Sequence, residues 1–468
     1  MRYYLESQQE GRFNMLDYYK GMDISFLQEY MEKGMKTYDL DGTPTDPLEL
    51  AKKHGVNAMR LRIWHTPENV PESGGYCSLE RTIAMAKKIK QEGFDFLLDF
   101  HYSDWWADPG KQRKPMAWEN LHGTELEEAV YTYTKKVLCA LKEADAMPDM
   151  VQIGNEIRSG LLFPDGELPD YVSMVRLVNA GIRAAREIGG KELLIMIHLD
   201  QGGRYFYLKD WFDRAFEAGL SDFDVIGLSY YPFWHGTFND LKETTEKLIQ
   251  DFKKPIILAE TAHAWRKSKN GFIDEAQEKI AGFAASPLGQ RMVLDMDNTI
   301  MASLPDKMGR GIYYWEPLCI PRGDEGGWAE NMGILDERGQ AMEAIHSFEF
   351  VRGDAKLELP AKIYKPQRLT VQVHQNVQLP EEVKVMKPNP YVVFSMADGW
   401  LEDNTYGTWV DILKATAGEM KKGDMVLTIQ YITRDDAYSS DGTQFQKYNN
   451  DRGRGDKNRT HDVSIANS

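Results

Sequence analysis

Between residues 18 and 350 the chain repeats one unit eight times: a short, nearly continuous apolar run rich in β-branched residues, then a longer amphipathic stretch. A run that is apolar on both faces suits a strand covered on both sides, and parallel strands need long crossovers of the kind helices supply. Repeated βα units of this sort build a parallel sheet, and eight of them match a TIM (β/α)8 barrel. The expected strands are 18–24, 57–63, 95–101, 149–155, 193–198, 224–230, 255–260 and 311–316. The stretches between them read as helices. In Leu79 to Gln91, for example, Leu79, Ile83, Ala86 and Ile89 share a face while Arg81, Lys87, Lys88 and Lys90 stay in water.

Chemistry in such a barrel gathers at the C-terminal ends of the strands, so those ends can be read in order. They carry Asp23 first, then Arg60 and Arg62, which alternation puts on one face of their strand. Next come His101 with Trp106 in an aromatic-rich loop, Asn155-Glu156, His198 with Asp200, Tyr231, Glu260, and Trp315. Two carboxylates on strand ends are what glycosidic bond cleavage needs, one to protonate the leaving oxygen and one to attack the sugar carbon. Each residue also has a plain reading: Glu156 or Glu260 as an ion-paired strand end, His101 and His198 as satisfied core histidines, Arg60 and Arg62 as structural ion pairs, Trp315 as packing. Their joint placement at one rim favours a site.

The chain has 468 residues, 42% of them hydrophobic, enough for one large domain and a smaller one. A net charge of −16 argues against a nucleic-acid or anionic-membrane partner and suits a neutral substrate. Cys77, Cys139 and Cys319 are scattered, without metal-ligand spacing, and read as ordinary core or loop residues. The first ten residues lack the apolar stretch of a secretory signal, and no run approaches the ~20 apolar residues of a membrane span. The protein as written is expected to be cytoplasmic and monomeric, or secreted if a signal has been removed.

Residues 1–350 form the expected barrel domain, and 351–433 a small all-β domain of short runs such as Arg368 to Val373 and Asp424 to Ile429, divided by Pro, Gly and Asp. Trp400, Tyr406 and Trp409 leave open either a sugar-binding or a spacer role for it. Residues 434–468, rich in Asp, Asn, Ser, Gly and Arg, read as a mobile, disordered tail.

The strand ends resemble glycoside hydrolase family 53, the endo-β-1,4-galactanases. The likeness rests on Asp99-Phe100-His101-Tyr102-Ser103-Asp104 with Trp106-Ala107-Asp108-Pro109, and on Gly154-Asn155-Glu156-Ile157-Arg158 with Gly160-Leu161-Leu162. His198-Leu199-Asp200, Ser229-Tyr230-Tyr231-Pro232, Ser286-Pro287 with Gly289-Gln290, and Tyr314-Trp315-Glu316-Pro317 extend it. Matches of this number in one order are specific, where a single tetrapeptide is not. The resemblance implies a retaining endo-acting hydrolase of galactan, arabinogalactan or derived galacto-oligosaccharides, with Glu156 as acid/base and Glu260 as nucleophile. It implies that Arg60, helped by Arg62, holds the charge of Glu260, that Tyr231 donates to it, and that Asn155 bonds the sugar 2-hydroxyl. Trp315 would floor the cleavage subsite, and Asp23, His101, Trp106, His198 and Asp200 would serve substrate binding around it.

The chain departs from the family's usual pattern at Trp105, near His263 and at Leu318-Cys319, where the family has a small residue and two aromatics; substrate length and the leaving-group subsites are affected. No cofactor is implied. Some relatives bind calcium near the last strands, but Asp324 and Glu325 form no Asp-x-Asp ligand run, so no metal is expected. The alternatives are a hydrolase of another β-linked glycan, such as xylan, mannan or cellulose, and a carbohydrate-binding protein without catalysis.

Overall fold

The computed structural model describes residues 15–352, apart from 269–270, 274 and 322–326, together with three short strands further on. Eight parallel strands close into a ring. They are β1 (Tyr19–Asp23), β2 (Ala58–Ile63), β3 (Asp95–Phe100), β4 (Met150–Ile153), β5 (Leu194–Leu199), β6 (Val225–Ser229), β7 (Ile256–Thr261) and β8 (Gly309–Tyr314), and β8 pairs with β1. All eight expected strands are present, with ends shifted by up to two residues. Helices fill the crossovers, among them Leu79–Gln91, Gly123–Glu143, Tyr171–Gly189, Phe238–Phe252 and Pro287–Ser303. Helix Leu79–Gln91 buries Thr82, Met85, Ala86 and Ile89, which is the expected apolar stripe turned slightly.

Among the described residues, two apolar cores follow from this layering. The larger joins the outer faces of the strands to the helices. The smaller fills the ring, with Tyr19, Ala58, Leu97, Met150, Leu194, Met196, Val225, Ile257, Ala259 and Tyr313 in contact. The close approach of β8 to β1 depends on Gly311, whose φ is +129°; a Cβ there would stand 2.0 Å from the Tyr19 carbonyl oxygen.

Continuing the inner alternation upward from the small core leads to polar side chains. Ala58 is followed by Arg60 and Arg62, Leu97 by Asp99, Met150 by Gln152, Met196 by His198, and Val225 by Gly227 and Ser229. All of these polar residues are buried. Strand β7 breaks the rule. Leu228 pairs with Leu258 but Ser229 pairs with Glu260, and on the other side Ile312 pairs with Leu258 but Tyr314 with Thr261. One extra residue in β7 therefore forms a bulge, which lets Ala259 and Glu260 both face the ring interior. Thr261 then points outward, where its hydroxyl donates to Asp297 of helix Pro287–Ser303 at 2.7 Å.

Beyond the barrel, Leu401–Asp403, Val426–Thr433 and His461–Ala466 form a three-stranded sheet; the last strand falls within the stretch expected as tail. Trp400, Tyr406, Trp409, Asp324 and Glu325 lie outside the described residues. Cys77 and Cys319 are buried, Cys139 is partly buried, and all three are free thiols. Among the described residues no helix is long and apolar enough to cross a membrane.

Candidate active site

The strand ends open into a cleft of about 630 Å³ lined by Arg60, Arg62, His101, Trp106, Asn155, Glu156, Asp200, Tyr231, Glu260 and Trp315, among others. Ten of the twelve expected site residues thus share one cavity. Glu156 follows β4 and Glu260 ends β7, with β5 and β6 between them in the ring. Glu156 adopts a left-handed backbone conformation with φ 46° and ψ 51°. Such a conformation costs a non-glycine residue about 1–3 kcal/mol and is tolerated where surrounding structure fixes a functional side chain.

The two carboxyls stand in different surroundings. Glu260 receives the Arg60 guanidinium at 2.9 Å and the Tyr231 hydroxyl at 3.0 Å. Burial nevertheless raises its pKa to about 7, against the lowering effect of Arg60. Among the described residues no cation pairs with Glu156. Burial first, then the charges of Glu260 and Asp200, push its pKa well above the ordinary carboxylate range. The cation and the phenol favour the charged form of Glu260, whereas burial and the neighbouring carboxylates favour the acid form of Glu156, so the pair is set to hold one charge and one proton.

Arg60 is the hub beneath the cleft. It donates to Asp23 and Asp99, each at 2.8 Å, and to Gln152 and Asn155 at 3.1 and 3.0 Å. Asn155 is oriented by donating its amide to the Ala107 carbonyl at 2.8 Å. His101 bridges layers: Nε2 lies 3.0 Å from Asp99, and Nδ1 accepts from the Ala107 amide at 3.1 Å. Asp200 accepts from Arg158 at 2.8 Å.

Three expectations need correction. Arg62 does not reach Glu260; it donates to Glu316 at 2.6 Å and stacks between Phe26 and Trp106, 4.4 and 4.2 Å from their ring centroids. Cation–π contact and that buried ion pair hold it in the aromatic wall. His198 does not line a subsite: it is fully buried under Asn155, with Nδ1 3.0 Å from Asn155 Oδ1 and Nε2 2.9 Å from Ser229 Oγ. Asp23 is likewise wholly buried and acts on Arg60 and Ser25 rather than on the cleft.

Sequence reading missed several groups. Ser229 lies 2.6 Å from Glu156 Oε1, and Gln152 donates to Asp99 at 2.6 Å; alternation along β4 and β6 could have placed both. Trp234, Phe272 and Trp328 also line the cleft, with Trp328 packed edge-on to Trp315 at 4.4 Å. Trp234 and Phe272 come from loops and Trp328 from the short helix Trp328–Asn331, whose path over the cleft no local pattern specifies. They also mean that the departures near His263 and after Pro317 do not leave the cleft short of aromatic surface, which suits stacking on sugar rings.

Comparison with known proteins agrees with this geometry. The family model described as Glycosyl hydrolase family 53 matches residues 19–348. An arabinogalactan endo-β-1,4-galactanase of Cellvibrio japonicus is 32% identical over 74% of this chain and 93% of its own length. An endo-β-1,4-galactanase of Bacillus subtilis is 30% identical over 72% of this chain and 79% of its own. Among solved structures, the Ignisphaera aggregans GH53 catalytic domain superposes with a TM-score of 0.67 at 38% identity, covering 72% of this chain and 98% of that one.

Proposed function

The chain belongs to glycosyl hydrolase family 53, and from that premise we propose that the cleft hydrolyses β-1,4-galactan in endo fashion with retention of configuration, Glu260 attacking and Glu156 serving as acid and then base. The observation that carries the assignment of roles is the unequal setting of the two carboxyls: a cation and a phenol at Glu260, neither, among the described residues, at Glu156.

In the first step the ionised Glu260 attacks the anomeric carbon. Glu156 gives its proton to the glycosidic oxygen as the bond to it breaks, and the shortened sugar leaves as an alcohol. An ester then joins Glu260 to the galactosyl carbon. In the second step the ionised Glu156 takes a proton from water, whose oxygen displaces Glu260 and restores the β configuration. Arg60 and Tyr231 stabilise Glu260 as it departs. The second amide hydrogen of Asn155 is available to the sugar 2-hydroxyl, a bond that strengthens as positive charge develops on the ring. Trp315 and Trp106 offer apolar faces to the sugars on either side. The substrate is a neutral galactan or galacto-oligosaccharide, and no cofactor enters either step.

Proton NMR of linear galactan digested by the enzyme tests this reading. The expected first product is the β-anomer of mixed galacto-oligosaccharides, with xylan, mannan and cellulose left largely intact. First appearance of the α-anomer would rule out retention, and faster cleavage of another polymer would overturn the substrate assignment.

A further inference from the structure

Glu156 touches a hydroxyl whose only hydrogen is claimed elsewhere. Asn155 sends Nδ2 to the Ala107 carbonyl at 2.8 Å, and its Oδ1 receives Arg60 at 3.0 Å, so the atom it turns toward His198 is an oxygen. His198 Nδ1, 3.0 Å from that oxygen, must therefore carry a hydrogen. The imidazole is neutral, because burial and the nearby Arg60 push its pKa well down. Its Nε2 is then a bare lone pair, 2.9 Å from Ser229 Oγ, and draws the serine hydrogen. With its hydrogen on His198, Ser229 Oγ meets a protonated Glu156 Oε1, 2.6 Å away, as an acceptor, whereas against an ionised Glu156 it donates and lowers that carboxyl's pKa.

We propose that His198 and Ser229 are positioning residues for the reaction, a relay that holds Glu156 in its acid form by presenting Ser229 Oγ to it as an acceptor. This rests on the assignment of Glu156 as the acid. After Glu156 gives up its proton, the Ser229 hydroxyl turns to donate to the carboxylate, and His198 Nε2 loses its partner. The relay thus has two settings, one for each step, and the resting one favours the acid. Glu260, Asp200 and Asp108 face Glu156 from the neighbouring elements, and their charges favour the same setting. Arg60, Asp99, His101 and His235 surround His198, and Asp99 alone among them opposes its neutrality.

The experiment is the pH profile of kcat/KM on a soluble galacto-oligosaccharide for the wild type and Ser229→Ala. Loss of the acceptor is expected to move the alkaline limb down by about one pH unit, the worth of one hydrogen bond. A donor serine would produce the opposite shift, so an alkaline limb that rises or stays in place overturns the proposal. Nitrogen-15 NMR of histidine-labelled wild type gives a readout that does not depend on the variant folding. His198 is expected to be neutral and protonated on Nδ1 from pH 5 to 8; a charged ring, or a proton on Nε2, overturns the relay. A wild-type profile on an oligosaccharide with a dinitrophenolate leaving group, which needs no acid, separates the two levels. If the alkaline limb persists there unchanged, the assignment of Glu156 fails rather than the relay.

Discussion

Replacing Glu260 with glutamine should abolish activity and stabilise the protein at alkaline pH. In the folded chain the Glu260 carboxyl holds its proton up to about pH 7, against an ordinary value of 4.5. Between those values the native state keeps a proton that the unfolded chain releases, so rising pH favours unfolding. The gap is worth about 3 kcal/mol at ~1.36 kcal/mol per pH unit, absent below pH 4.5 and complete above 7. Glutamine removes that titration while filling the same space. Its carbonyl can accept from Arg60 where Oε1 now lies at 2.9 Å, and its amide can donate to the Tyr231 oxygen once that hydroxyl turns. Urea unfolding of wild type and Glu260→Gln at pH 5 and pH 8 measures the effect. The variant should be nearly equal to wild type at pH 5 and more stable by up to about 3 kcal/mol at pH 8, with an unchanged urea slope. A difference that ignores pH, or a variant weaker at pH 8, would mean that attraction to Arg60 outweighs burial. The raised pKa argued for Glu260 would then be wrong.

The same pair fixes the rate profile: kcat/KM on galactan should rise through about pH 7 as Glu260 ionises and fall again at higher pH as Glu156 loses its proton, and a profile flat from pH 5 to 9 would contradict it. Glu156→Gln should lower kcat on galactan about 10²–10⁴-fold, the usual worth of a general acid, with near-wild-type turnover refuting the role. Arg60→Met leaves Asp23, Asp99 and Glu260 without their shared cation and should destabilise the fold by about 3–5 kcal/mol at pH 8 in urea unfolding. A loss under about 1 kcal/mol would show that the three carboxyls absorb protons instead.

The fold was legible because a parallel barrel writes itself into the chain twice, as apolar strands and as amphipathic crossovers, and both signals are local. The rim was legible for the same reason, since a residue at a strand's end needs no tertiary information to be placed there. Arg60 and Arg62 show where that reading stops. Alternation put them on one face, and they are on one face, but partner choice depends on which strands close against β2. Arg60 meets Asp23, Asp99 and Glu260 from β1, β3 and β7, while Arg62, one layer higher, meets Glu316 beyond β8. His198 failed in the other direction. A histidine near a strand end looks like a ligand-binding group, and only the placement of Asn155 above it shows that it works from below.

Glu260 is the sharpest case, because simple alternation predicts the wrong orientation for it. Ile257 and Ala259 face the interior core, so a regular strand would turn Glu260 outward toward the helices and Thr261 inward. Outside, the carboxyl would meet the apolar layer with no cation, whereas inside it reaches Arg60 and Tyr231. The extra residue in β7 reverses the two, giving Thr261 to Asp297 and Glu260 to the cleft. With Ala259 in the strand, a bulge at this point is thus what keeps Glu260 in the cleft. Deleting Ala259 places Glu260 directly after the outward-facing Leu258, which restores regular pairing with Ser229 and leaves the carboxyl inward; galactan cleavage and the α/β circular dichroism signature should both survive. Loss of cleavage in a deletion that keeps the α/β signature would show that the orientation of Glu260 is not set by alternation from Leu258.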